Sequence, residues 1–226
     1  EIEAGLVDIV IGTHALIEND IVFHSLGLII IDEQHRFGVV QRKLLRDKGE
    51  LANLIVMSAT PIPRSLALTI YGDLDVSVID ELPAGRKQIK TKWIKDQEEK
   101  NKMYDFIKEK IKEGRQVYVV SPLIEESETL NVKSAESTFE EYSEIFKGME
   151  IALIHGRMKN KDKQEVMEKF RKGNLNILVS TTVIEVGVNV PNASIMVIRD
   201  AQRFGLSSLH QLRGRVGRGE YRSYCF

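Results

Sequence analysis

Two adjacent carboxylates, Asp32 and Glu33, stand directly after an apolar run. Leu28 to Asp32 reads as a buried strand, apolar until its last position. In open parallel α/β sheets, ligands sit in the crevice at the carboxyl ends of the strands. An acidic pair delivered there has the chemistry to hold Mg²⁺ through Asp32 and to polarise an attacking water through Glu33. By itself the pair reads more readily as a solvated acidic turn closing a buried strand.

Other strand ends repeat the pattern with different groups. Gly12-Thr13-His14 follows the strand candidate Leu6 to Ile11, and its amides and hydroxyl suit a phosphate backbone, or simply a turn. Asn53 to Met57 reads as the next buried strand and ends in Ser58-Ala59-Thr60-Pro61, an N-cap or a pair of hydroxyls that senses phosphate. His155-Gly156-Arg157 ends the strand Ile151 to Ile154. No second metal ligand lies at a useful spacing from His155, so a turn histidine near a phosphate is expected. Asn176 to Val179 feeds Ser180-Thr181-Thr182-Val183-Ile184-Glu185-Val186-Gly187-Val188-Asn189. After the strand Ile195 to Ile198 comes Gln211-Leu212-Arg213-Gly214-Arg215-Val216-Gly217-Arg218-Gly219. Its glycines permit close backbone approach, and its arginines suit phosphate.

The elements that must carry these groups alternate strand and helix. A helix is expected near Val40 to Lys48, and another from Arg64 to Tyr71, opened by Pro61 and Pro63. Pro83 and Gly85 mark 83–88 as a linker, separating a domain over 1–82 from one over 89–226. Beyond it, Ile89 to Trp93 alternates as a half-buried strand with Trp93 in the core. A helix from Gln97 to Lys112 presents Met103, Phe106, Ile107 and Ile111 on one face. A strand Val117 to Val120 leads to Ser121-Pro122. Glu125 to Glu128 reads as a loop, a helix spans about Thr138 to Phe146, and Asn160 caps a helix to Lys172.

Composition narrows the class. With 226 residues, 42% hydrophobic and 29% charged, the chain is that of a globular protein of one large or two ordinary domains. No apolar run approaches the roughly 20 residues of a membrane span, and Glu1-Ile2-Glu3 does not open a secretory signal. One cysteine, Cys225, forbids an internal disulfide and fits a reducing compartment. A net charge of −1 leaves nucleic-acid contact to local patches.

Taken in order, Asp-Glu-Gln-His, Ser-Ala-Thr, Thr-Thr-Val-Ile-Glu-Val-Gly and Gln-x-x-Gly-Arg-x-Gly-Arg resemble the motifs of superfamily 2 helicases, motors with two RecA-like lobes. Asp32 to Arg42, Ser58 to Arg64 and the run from Arg203 to Gly219 are similar to the RecG family, helicases that remodel stalled forks and branched DNA. The transcription-repair coupling factors typically have Asp-Glu-Glu-Gln where this chain has Asp32-Glu33-Gln34-His35. The resemblance implies an α/β fold of two RecA-like lobes with parallel sheets flanked by helices, the first lobe incomplete. It implies the rear of lobe 1 (motifs II and III) in 1–82 and lobe 2 (motifs IV to VI) in 89–226.

It implies ATP and Mg²⁺ as cofactors, with Asp32 organising the metal, Glu33 as general base, and Arg215 and Arg218 directed at the γ-phosphate. Gln34, His35, Ser58, Thr60, Glu185, Gly187, Asn189 and Gln211 would bind nucleotide or couple it to DNA. Gly12, Thr13, His14, Ser180 and Thr181 would contact the DNA backbone. The partner expected is branched DNA, and the expected state is a monomeric cytoplasmic motor. No Gly-x-x-x-x-Gly-Lys-Ser/Thr occurs, so the chain alone is expected to be inactive. Asn189 stands where the family carries aspartate. A coupling-factor-like translocase and a non-catalytic RecA-like platform are the alternatives; a platform would be expected to lose the acidic pair or the arginines, and both are present.

Overall fold

The computed structural model describes residues 1–18, 20–32, 44, 48–49, 52–58, 75–81, 83, 86–122, 128–181 and 190–226, with 128–131 as backbone only. The chain divides into two compact units, Glu1–Leu74 and Asp75–Phe226, and each is taken by itself.

In the first unit, β1 (Leu28–Ile31) and β2 (Asn53–Val56) pair in parallel, Leu28 against Asn53 through Ile31 against Val56. Ile29 and Ile31 are buried with Ile17, while Leu28 and Ile30 face outward. The strand expected to be buried on both faces thus alternates, because among the described residues packing covers one face only. Leu6 to Ile11 forms no strand. Leu6, Ile9 and Ile11 are exposed, and a strand persists only where a neighbour takes up its backbone hydrogen bonds. Ile17 closes a 3₁₀ turn, His14–Ile17, which anchors the preceding loop to the apolar face of β1. The expected helices at 40–48 and 64–71 fall on positions that are almost all outside the described residues.

The second unit is a six-stranded parallel sheet in the order β3-β8-β7-β4-β6-β5. Its strands are β3 (Lys90–Thr91), β4 (Gln116–Val120), β5 (Ile151–Ile154), β6 (Ile177–Ser180), β7 (Ala193–Ile198) and β8 (Tyr224–Cys225). Its helices are α1 (Gln97–Lys112), α2 (Glu128–Ile145), α3 (Asn160–Arg171) and α4 (Leu206–Arg213). Parallel strands need crossovers, and α1, α2 and α3 supply them.

Alternation along the central strands sorts residues to two cores. Val117, Val119, Ile177, Val179, Ile195 and Val197 pack with Ile107 of α1 and Tyr142 of α2. Tyr118, Val120, Leu178 and Met196 pack on the other face with Phe170 of α3 and Leu212 of α4. The result is a three-layer α/β unit in which continuous apolar strands are covered on both sides. α1 matches its expected range; Asp96 caps it by accepting from the Glu99 amide at 2.8 Å.

Three expectations are corrected. Trp93 is not in the core: it is 75% exposed. The strand there shrinks to Lys90–Thr91 at the sheet edge, and Lys95 lies over the indole at 5.2 Å. The helix expected over 138–146 begins ten residues earlier, at Glu128. α3 has Lys159 rather than Asn160 at its N-cap, with no side-chain cap bond. Within the second unit, Arg86 donates to the Gly217 carbonyl at 3.0 Å and Ile89 lies against Gly217.

Candidate functional site

Asp32 is delivered by β1. The pairing continues past the strands, since the Met57 amide donates to the Ile31 carbonyl at 2.8 Å. This carries the two strands forward to Asp32 and Ser58 at neighbouring carboxyl ends, both exposed. An exposed carboxylate at the end of a parallel strand is a fitting donor for a hard divalent cation. Among the described residues there is no cluster of three or more such donors. Gly12, Thr13 and His14 form an exposed loop in the same unit, with Thr13 at the N-cap of the 3₁₀ turn and no side-chain cap bond. A β-carbon on Gly12 would press on the Leu16 side chain at 2.8 Å. Glu33, Gln34, His35 and Thr60 lie outside the described residues.

In the second unit, strand register aligns the carboxyl ends of β4, β6 and β5. Ser121 donates its amide to the Ser180 carbonyl at 2.8 Å, and Thr181 donates to the Ile154 carbonyl at 3.3 Å. Ser180 and Thr181 are both buried, and among the described residues their hydroxyls have no hydrogen-bond partner, as is also true of His155 Nδ1. A buried polar atom left unpaired costs about 1–3 kcal/mol, so three at the ends of two adjacent strands mark a polar edge that contacts among the described residues do not satisfy. Glu185, Gly187 and Asn189 fall outside the described residues.

The arginine run is positioned by α4 and the turn after it. Leu212 and Val216 are buried in the core formed with Tyr118 and Val190. With those two side chains turned inward, Arg215 remains half-buried and Arg218 exposed on the turn, and Gln211 is half-buried on α4. Gly217 sits at φ +78, in the left-handed region where glycine is favoured. Arg218 folds back so that its Nε–H donates to the Gly214 carbonyl at 3.2 Å. Burial and the nearby charges of Arg215 and Arg86 push the Arg218 guanidinium below its ordinary value. Tyr118 lies within reach of the same field: burial raises its hydroxyl to about 12, against the opposing pull of Arg215 and Arg218. Like cations forced together favour an anion between them.

Two features escape sequence reading. Arg86 is one, since nothing in its neighbourhood of proline and glycine points to residues more than a hundred positions away. The other is an ionic knot that fixes the end of β7. Glu141 of α2 accepts from Arg199 at 2.6 Å and from Lys100 and Tyr104 of α1 at 2.9 Å each. Burial alone would raise the Glu141 carboxyl, but the Arg199 and Lys100 hydrogen bonds outweigh it and hold the group down at about 2.

The chain matches the helicase conserved C-terminal domain family over residues 98–220 and the DEAD/DEAH box helicase family over 1–69. It is similar to the ATP-dependent DNA helicase RecG of Streptococcus pneumoniae serotype 4, with 58% identity over 225 residues. These are 99% of this chain and 33% of that protein. RecG of Bacillus subtilis strain 168 is 55% identical over 223 residues, again 33% of its length. Among solved structures, RecG bound to a three-way DNA junction superposes with a TM-score of 0.73 at 49% identity, covering 100% of this chain and 29% of that one. The chain thus spans about a third of the length of the curated relatives it matches.

Proposed function

The chain belongs to the helicase conserved C-terminal domain family, and on that premise we propose that it is part of the motor of an ATP-dependent DNA helicase that remodels branched DNA. The observation that carries the reading is the placing of Arg215 and Arg218 three residues apart on the turn after α4, where burial and the nearby charges of Arg215 and Arg86 push the Arg218 guanidinium below its ordinary value. Similarity to a RecG bound to a three-way junction supports branched DNA as the substrate. A monomeric motor in the cytoplasm fits the same reading; among the described residues no helix is long and apolar enough to cross a membrane.

In this reading Asp32 holds Mg²⁺, which when bound neutralises charge on the phosphate oxygens. Glu33 takes a proton from the attacking water. Arg215 and Arg218 stabilise the charge that develops on the γ-phosphoryl group, a contribution of roughly 10³ to 10⁵ in rate. Gln34, His35, Ser58, Thr60, Glu185, Gly187, Asn189 and Gln211 bind nucleotide and couple its state to DNA. Gly12, Thr13 and His14 meet the phosphate backbone. Ser180 and Thr181 belong to that contact too, and their hydroxyls, unpaired among the described residues, supply the hydrogen-bonding capacity.

The test is ATP-dependent unwinding of a model fork by the full-length protein, beside a linear duplex of equal length. Fork-selective, ATP-dependent strand separation supports the reading. Nucleotide-independent binding with no strand separation on either substrate contradicts it.

A further inference from the structure

Arg86 lies in a stretch whose composition marks only a connection, yet its Nε–H donates to the carbonyl oxygen of Gly217 at 3.0 Å. Its own amide closes a turn onto the Pro83 carbonyl at 3.1 Å. Three residues on, Ile89 packs against the same glycine: a β-carbon on Gly217 would stand 3.0 Å from Ile89 Cγ1. The Lys90 amide then donates to the Ser223 carbonyl at 3.0 Å. Residues 86–90 therefore run along 217–223 and grip it at three points.

What is gripped matters. Gly217 has φ +78, and its carbonyl belongs to the peptide group that joins it to Arg218. The hydrogen bond from Arg86 fixes the plane of that peptide, and so the direction in which the Arg218 backbone leaves the turn. On the other side Arg218 Nε–H is held by the Gly214 carbonyl at 3.2 Å. Arg86 also adds charge: with Arg215 and burial, its proximity disfavours the protonated state of Arg218. Both of these hydrogen bonds use a carbonyl acceptor, which carries no formal charge.

We propose that Arg86 is a positioning residue for the arginine pair: it pins the Gly217 peptide that aims Arg218 and contributes a third cation to the oxyanion-binding cluster. The assignment rests on the functional reading above, in which Arg218 acts on a γ-phosphoryl group. Holding a catalytic group in its productive direction affects kcat more than ground-state affinity.

The experiment measures fork-stimulated ATP turnover in the full-length protein for Arg86→Ala, Arg86→Gln and Arg86→Lys, beside Arg218→Ala and the parent. Expected is a fall in kcat of about tenfold or more for Ala and Gln, one decade being about 1.4 kcal/mol, with KM for ATP and thermal midpoint near the parent's. Lysine, which keeps a charge and a donor, should restore a large part of the rate. Parent-like kcat in Arg86→Ala overturns the proposal, and if that variant does not fold, parent-like kcat in Arg86→Gln does so. A change confined to KM or to the thermal midpoint also overturns it. If Arg218→Ala itself keeps parent-like turnover, it is the helicase reading of the arginine pair that fails.

Discussion

Gly219 lies so close to Pro191 that a β-carbon on it would stand 2.3 Å from the Pro191 carbonyl oxygen and 3.1 Å from its carbonyl carbon. The turn that carries Arg218 is therefore seated directly on the backbone that leads into β7. No rotamer relieves such a contact, because both partners are main chain. Gly219→Ala should destabilise the fold by about 1–3 kcal/mol, the range for overpacking. Gly156→Ala, where a β-carbon meets nothing within 4 Å, should stay within about 0.5 kcal/mol of the parent. Chemical denaturation of the two variants checks this, and equal midpoints for both would refute the seating.

The knot around Glu141 makes a pH prediction. Its carboxyl is depressed in the folded state, from 4.5 to about 2, chiefly by Arg199 and Lys100 acting against burial. A depressed carboxyl contributes stability above its unfolded value and loses it as pH falls toward the folded one. Glu141→Gln should lower stability at pH 7 by about 1.5–3 kcal/mol, the scale of hydrogen bonds to charged groups. The gap between variant and parent should narrow as pH falls from 4.5 toward 2. Thermal unfolding at several pH values reads it; a gap that widens over that window would contradict the account.

Much of the fold is legible in the sequence, because the central strands are continuous apolar runs and their ends carry short polar motifs. The apolar face of α1 and the cap-forming Asp96 are equally local. What is not legible depends on distant partners. Leu6 to Ile11 has the composition of a strand, but no neighbour among the described residues takes up its ladder. Trp93 alternates with Ile89 in sequence, yet the edge strand ends two residues before it, so the alternation has no pleat to act on. Arg86 and Glu141 owe their roles to contacts with residues 131 and 58 positions away, respectively. At the candidate site, Asp32, Ser58, Thr181, Arg215 and Arg218 are readable as strand-end or turn residues, whereas the third arginine is not.

Arg218→Ala in the full-length protein should cut fork-stimulated kcat by about three decades or more, the range for such arginines being about 10³ to 10⁵, with little change in KM for ATP. Arg218→Lys should recover little, since an ammonium does not reproduce the planar guanidinium. Steady-state kinetics with ATP varied at saturating fork would check both. A loss appearing in KM alone would mean that Arg218 only holds ground-state nucleotide.

The 226-residue chain by itself, which contains no Gly-x-x-x-x-Gly-Lys-Ser/Thr, should hydrolyse ATP no faster than buffer, with or without forked DNA. A phosphate-release assay on the purified chain measures this. Turnover that disappears in Arg218→Ala would show that the chain holds a complete catalytic set.

The central claim, that Asp32 at the end of β1 serves a DNA-driven ATPase, is tested most directly by one comparison. Phosphate release by the full-length protein is followed with Mg²⁺ and a three-way junction, for the parent and for Asp32→Asn. The account predicts turnover that the junction stimulates at least about tenfold in the parent, a difference of about 1.4 kcal/mol, and that Asp32→Asn abolishes while junction binding persists. Junction-stimulated turnover of parental size in Asp32→Asn, or no stimulation in the parent, would contradict it.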